Sequence, residues 1–223
     1  MTSDPHLKQS ILRSGRPLNE ASAVMILLHG RGGSADDMFS LGADLGTSEF
    51  SYLAPQAANN TWYPGSFLAP LEQNEPYLTS ALAKVESIVQ LAAAAGIHAD
   101  RVIVTGFSQG ACLATEFVAR YPRGYAGLIA FTGGLIGPLG SDLTHLGDLG
   151  GTLAFFGSGD PDPHVPWRRV HESAEVLKQM GADVAIHRYP GMPHTITREE
   201  IESARQHIRT HSLQKKQAAQ EIK

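Results

Sequence analysis

Short apolar runs alternate along the chain with longer segments whose apolar residues recur every three to four positions. The first pattern predicts strands, the second helices packed on a core. Strands are expected over residues 8–14, 24–29, 52–54, 101–105, 127–132, 152–156 and 184–189. Arg101-Val102-Ile103-Val104-Thr105 is β-branched and apolar on both faces, as a central parallel strand should be. Between the strands, Ser34-Ala35-Asp36-Asp37 reads as a capping box opening a helix to about Leu45. A long helix is expected over residues 74–96, with Leu78, Leu82, Val85, Val89 and Ala92 inward and Gly96 as its stop. In residues 109–121, Leu113, Phe117 and Tyr121 form one apolar stripe, and Pro122 ends the helix. The last two helices fall at 170–180 and 198–211. Residues 59–76 and 133–151 are long and rich in Gly and Pro, the signature of caps or pocket walls.

This alternation predicts a single α/β domain whose mostly parallel sheet carries helices on both faces. A length of 223 residues suits one such core. The domain is expected over residues 1–213, and the polar run 214–223 as a tail with no apolar face to bury. A net charge of −4 with no basic block argues against a nucleic-acid partner. No apolar run approaches the ~20 residues of a membrane span. The first residues, Met1-Thr2-Ser3-Asp4-Pro5-His6, lack the layout of a signal peptide, and Cys112 is the only cysteine. A cytoplasmic location is therefore expected.

Gly106-Phe107-Ser108-Gln109-Gly110 has the G-x-S-x-G spacing of a nucleophile elbow, set between a predicted strand and a predicted helix. A serine in that turn needs a base to take its proton, and the base needs an acid to hold its tautomer. Two later loops offer them, each after a predicted strand. One is Gly159-Asp160-Pro161-Asp162-Pro163-His164-Val165-Pro166, and the other is Gly191-Met192-Pro193-His194-Thr195. His194 is the candidate base; Asp160 and Asp162 are both candidate acids. Of the other histidines, His171, His207 and His211 sit on charged helix faces and His187 within a strand. His164 lies too close in sequence to the acid to reach a serine on another strand. No pair has the spacing of a zinc site, so neither metal nor cofactor is expected.

Together with Leu28-His29-Gly30-Arg31-Gly32-Gly33, these motifs resemble the phospholipase/carboxylesterase family of α/β-hydrolases, which contains the acyl-protein thioesterases. The resemblance runs from about residue 24 to 195. It implies an α/β-hydrolase fold with Ser108 as nucleophile, Asp162 as acid and His194 as base. It also implies an oxyanion hole from the backbone N–H groups of Arg31 and Gln109, with His29 supporting the loop from below. The Arg31 side chain departs from the small or apolar residues usual there. Trp62 and Tyr63, in a stretch that departs more clearly, are expected as substrate-pocket wall. Cys112 is expected as a small buried hydrophobe.

The expected activity is hydrolysis of a small ester or thioester through an acyl-enzyme. Carboxylesterase leads; acyl thioesterase and lysophospholipase are the alternatives, and a non-catalytic ligand-binding relative is the remote one. A homodimer is compatible with each.

Overall fold

The computed structural model describes residues 4–221. A seven-stranded sheet is built from β1 (Ile11–Gly15), β2 (Ala23–Leu28), β3 (Phe50–Pro55), β4 (Val102–Phe107), β5 (Gly127–Phe131), β6 (Leu153–Asp160) and β7 (Asp183–Pro190). Their spatial order is β1-β3-β2-β4-β5-β6-β7. Only β1 runs antiparallel, against β3. Strands β2, β4, β5 and β6 are almost wholly buried, which is why they read as continuous apolar runs. The helices are α1 (Met38–Leu45), α2 (Tyr77–Ala94), α3 (Gln109–Arg120), α4 (Trp167–Gln179) and α5 (Arg198–Glu221). Helices α1 and α5 bury Met38, Leu41, Leu45 and Ala204 on one face of the sheet. Leu78, Leu82, Leu113, Phe117, Val170 and Leu177, from α2, α3 and α4, cover the other.

Three expectations differ from the structure. The helix predicted from residue 74 starts at Tyr77, because Pro76 holds Glu75 in extended backbone (ψ 150°) and confines Leu71–Asn74 to a separate 3-10 turn. Helix α3 carries more than a stripe: every residue from Gln109 to Ala119 is buried, with α2 packed on it, Gly133 against Ala111 and the Ile136 N–H donating to Glu116 Oε2 at 2.9 Å. The tail expected from residue 214 continues α5 as far as Glu221; Ile222 and Lys223 lie outside the described residues.

The chain leaves β2 for β3 through α1 on one face and leaves β4 for β5 through α3 on the other. Adjacent strands β2 and β4 therefore send their following loops in opposite directions. This is a topological switch point, where a crevice opens at the carboxyl ends of the strands.

Candidate active site

Ser108 sits at the end of β4 with φ 54° and ψ −118°, a conformation few side-chain-bearing residues adopt. The flanking glycines make it possible. A Cβ at Gly106 would overlap the Gly110 carbonyl, and one at Gly110 would overlap the Leu28 carbonyl. The reversal lifts the Ser108 side chain above the sheet edge, where its Oγ meets His194 Nε2 at 2.8 Å. His194 Nδ1 lies 2.8 Å from Asp162 Oδ2. The other oxygen, Asp162 Oδ1, accepts the backbone N–H groups of His164 and Val165, each at 2.8 Å. Burial by itself pushes the Asp162 carboxyl up; those two N–H groups and the His194 ring outweigh it and hold the carboxyl below its usual value. An ionised Asp162 makes His194 Nδ1 the protonated nitrogen and leaves Nε2 to accept from Ser108.

Asp160, the rival acid, points elsewhere: its carboxylate pairs with Arg188 on β7. His164 does reach the site, by a route its place in sequence did not predict. It supplies one of the N–H groups on Asp162, and its ring packs edge-on against His194 with centroids 4.8 Å apart.

Two backbone N–H groups close to Ser108 in the fold have no acceptor among the described residues. That of Gln109 is the first of α3, where no preceding turn exists to accept it. That of Arg31 shares a planar peptide with the Gly30 carbonyl, which is held from behind by His29 Nδ1 at 2.7 Å and by the Gly33 N–H at 3.1 Å. Fixing the oxygen of a trans peptide aims its N–H the opposite way. Since Ala57 N–H donates to His29 Nε2 (3.1 Å), the Nδ1 must carry the proton it gives to Gly30. Burial lowers the His29 pKa and keeps the ring neutral for this task. At Gly30 a Cβ would stand 3.5 Å from Ser108 Cβ, so this loop is the serine's immediate neighbour.

Trp62 is placed differently from the expectation that it lines the substrate pocket. It is wholly buried; its indole N–H donates to the His29 carbonyl at 2.8 Å and its ring packs 5.0 Å from the His29 ring. The Gln109 side chain holds the same segment, accepting the Trp62 N–H (2.9 Å) and donating to the Tyr63 carbonyl (2.8 Å). The large ring is core because its anchors, His29 just after β2 and Gln109 at the start of α3, hold the segment inward. Tyr63 does line a cavity, of about 530 Å³, together with Phe67, Ser108, Cys112, Val165 and His194. Cys112 is buried, as expected, and forms part of this cavity's floor; burial pushes its thiol up to about 12, so it is not a thiolate. A second cavity, about 450 Å³, lies on the other side of His194 between α1 and α5, walled by Met38, Leu41, Phe107 and Ile201. Among the described residues no group of three or more His, Cys, Asp and Glu side chains is placed to hold a metal, and no helix is long and apolar enough to cross a membrane.

The sequence profile of the Phospholipase/Carboxylesterase family matches residues 13–212. The chain belongs to that family. Its fold is similar to the crystal structure of a phospholipase/carboxylesterase from Dyadobacter fermentans DSM 18053. That protein is 47% identical, with a TM-score of 0.87 over 90% of this chain and 96% of the other. An acyl-protein thioesterase 1 of Cryptococcus neoformans is 27% identical over 236 residues, 90% of this chain and 94% of the relative. A probable SOBER1-like carboxylesterase of Arabidopsis thaliana is 30% identical over 132 residues, 58% of this chain. The chain spans about half the length of that relative (50%) and of the Neurospora crassa acyl-protein thioesterase 1 (54%).

Proposed function

We propose that this member of the family is a serine hydrolase that cleaves carboxylic esters through an acyl-enzyme. The observation that carries the reading is the relay from Ser108 Oγ through His194 to Asp162, two contacts of 2.8 Å, beside two unengaged backbone N–H groups. Ser108 Oγ attacks the ester carbonyl as His194 Nε2 takes its proton; Asp162 stabilises the imidazolium and holds its orientation. The carbonyl oxygen becomes an oxyanion that accepts from the N–H groups of Arg31 and Gln109. Collapse breaks the bond to the alkoxy group, which leaves with the proton from His194. A water then repeats the sequence against the acyl-serine, releasing the acid and restoring Ser108. Cavities on both sides of His194 give the acyl and alcohol portions separate places. The relatives named acyl-protein thioesterase favour a second reading, in which the leaving group is a thiol.

The test is labelling by a fluorophosphonate probe together with turnover of p-nitrophenyl esters and acyl-CoAs of graded chain length. Wild type should be labelled. Ser108→Ala should not, and should lose at least ~10³-fold in kcat/KM with its melting temperature kept. Labelling that persists in Ser108→Ala would sink the assignment.

A further inference from the structure

Arg31 has a second relation to the cavity besides its backbone N–H. Its guanidinium is held in place by Nη1 donating to Thr61 Oγ1 (3.2 Å) and to the Pro64 carbonyl (3.0 Å), and by Nη2 donating to the Gly65 carbonyl (2.6 Å). Its carbon lies 6.0 Å from the centroid of the Tyr63 ring. All of these partners are neutral. They fix the group without cancelling its charge, and no carboxylate among the described residues pairs with it. Three of the five guanidinium hydrogens are thus engaged. The two left are one on Nε and one on Nη2, donors that a carboxylate can take. Arg31 lines both cavities beside His194, and of the two only that of about 530 Å³ has no Asp or Glu in its wall. This stands out in a chain of net charge −4, and the cavity of about 450 Å³ on the far side of His194 includes Asp37 and Asp44.

We propose that the Arg31 side chain is a specificity-determining group that makes the Tyr63-lined cavity a receptor for an anionic substituent. The substrate is then an ester that carries a carboxylate on the part held there, such as the half-ester of a dicarboxylic acid. This rests on the hydrolase reading above. A guanidinium immobilised before binding loses little further freedom when the anion arrives, so more of the charged hydrogen-bond energy appears in binding. Tyr63 and Phe67 supply apolar surface for the methylenes between the ester and the acid.

The experiment compares monoethyl succinate, glutarate and adipate with the isosteric ethyl ester-amides, following ethanol release. Wild type should favour the best half-ester over its amide by roughly 10- to 100-fold in kcat/KM, the worth of a charged hydrogen bond. Because Arg31 is exposed, the preference should shrink as salt is raised. In Arg31→Gln the half-ester to amide ratio should fall towards one or below, whatever happens to the rate common to both, while Arg31→Lys keeps part of it. Wild-type turnover of the ester-amides with equal or poorer turnover of every half-ester would overturn the proposal. So would a preference that survives in Arg31→Gln. No turnover of any ester and no fluorophosphonate labelling would instead refute the hydrolase reading itself.

Discussion

Replacing Trp62 by alanine tests the reassignment of this residue from pocket wall to core. The ring is wholly buried. Removing ~200 Å² of apolar contact at ~25 cal/mol/Å² costs about 5 kcal/mol, and large aromatic truncations in cores cost ~3–5 kcal/mol. The indole N–H also leaves the buried His29 carbonyl without its 2.8 Å donor, worth ~1 kcal/mol or more. A loss of about 4–6 kcal/mol is expected, which for a chain of this size lowers the melting temperature by about 10–20 °C. Trp62→Phe keeps most of the contact and drops only the N–H, so it should lose about 1–3 kcal/mol and stay folded. The same carbonyl precedes the Gly30-Arg31 peptide, so kcat should fall in both variants. The ratios of kcat/KM among p-nitrophenyl acetate, butyrate and octanoate should hold within about threefold, because the ring does not line the cavity. Thermal melting and the three-ester panel on one preparation decide it. A melting temperature within ~3 °C of wild type, with a tenfold change in chain-length preference, would return Trp62 to the acyl site.

Asp162→Asn should cost ~10³–10⁴-fold in kcat, since an amide N–H facing His194 Nδ1 forces the wrong tautomer. Asp160→Asn loses only an ion pair with the exposed Arg188 and should stay within about tenfold; the reverse order would exchange their roles. Glu200 gives a pH prediction: burial pushes its carboxyl from 4.5 up to about 7, with Oε2 accepting the Thr197 N–H and Oε1 unpartnered against Gly157. A folded-state value above the unfolded one means that its stabilising contribution is complete below pH ~4.5 and is lost as pH rises through about 7. Glu200→Gln should therefore match wild type in melting temperature near pH 4.5 and exceed it by ~2–4 kcal/mol of stability above pH 7; a constant gap across that range would refute the buried, protonated carboxyl.

Local chemistry made much of the site readable. The elbow is a backbone reversal that only Gly106 and Gly110 permit, so its signature lies within five adjacent residues. The loops of Asp162 and His194 each follow an apolar strand, and parallel strands deliver their following loops to one edge of the sheet. The reciprocal pair expected of a capping box does form, with Ser34 N–H donating to Asp37 Oδ2 at 2.8 Å and Asp37 N–H to Ser34 Oγ at 3.4 Å, but it braces the turn before α1, whose N-cap is Asp37 with no side-chain cap bond. The side of a loop that faces inward has no such signal. Trp62 reads as a ring in a Gly/Pro loop, and its burial depends on His29 and Gln109, separated from it by 33 and 47 residues. Glu200, in the first turn of α5, is buried against Gly157 on β6, where any side chain would collide with its Oε1.

Periodicity, β-branched runs and turn glycines were thus enough to set the order of elements, the parallel sheet and the candidate nucleophile, because each acts between residues close in the chain. Tertiary structure alone put Asp162 against His194 and Asp160 against Arg188, turned Trp62 inward, and brought the carbonyls of Pro64 and Gly65 to the Arg31 guanidinium. Those outcomes depend on contacts between segments tens of residues apart. Which segments meet is settled by how the whole sheet and its helices pack, and hydrophobic pattern does not encode that for a loop side chain.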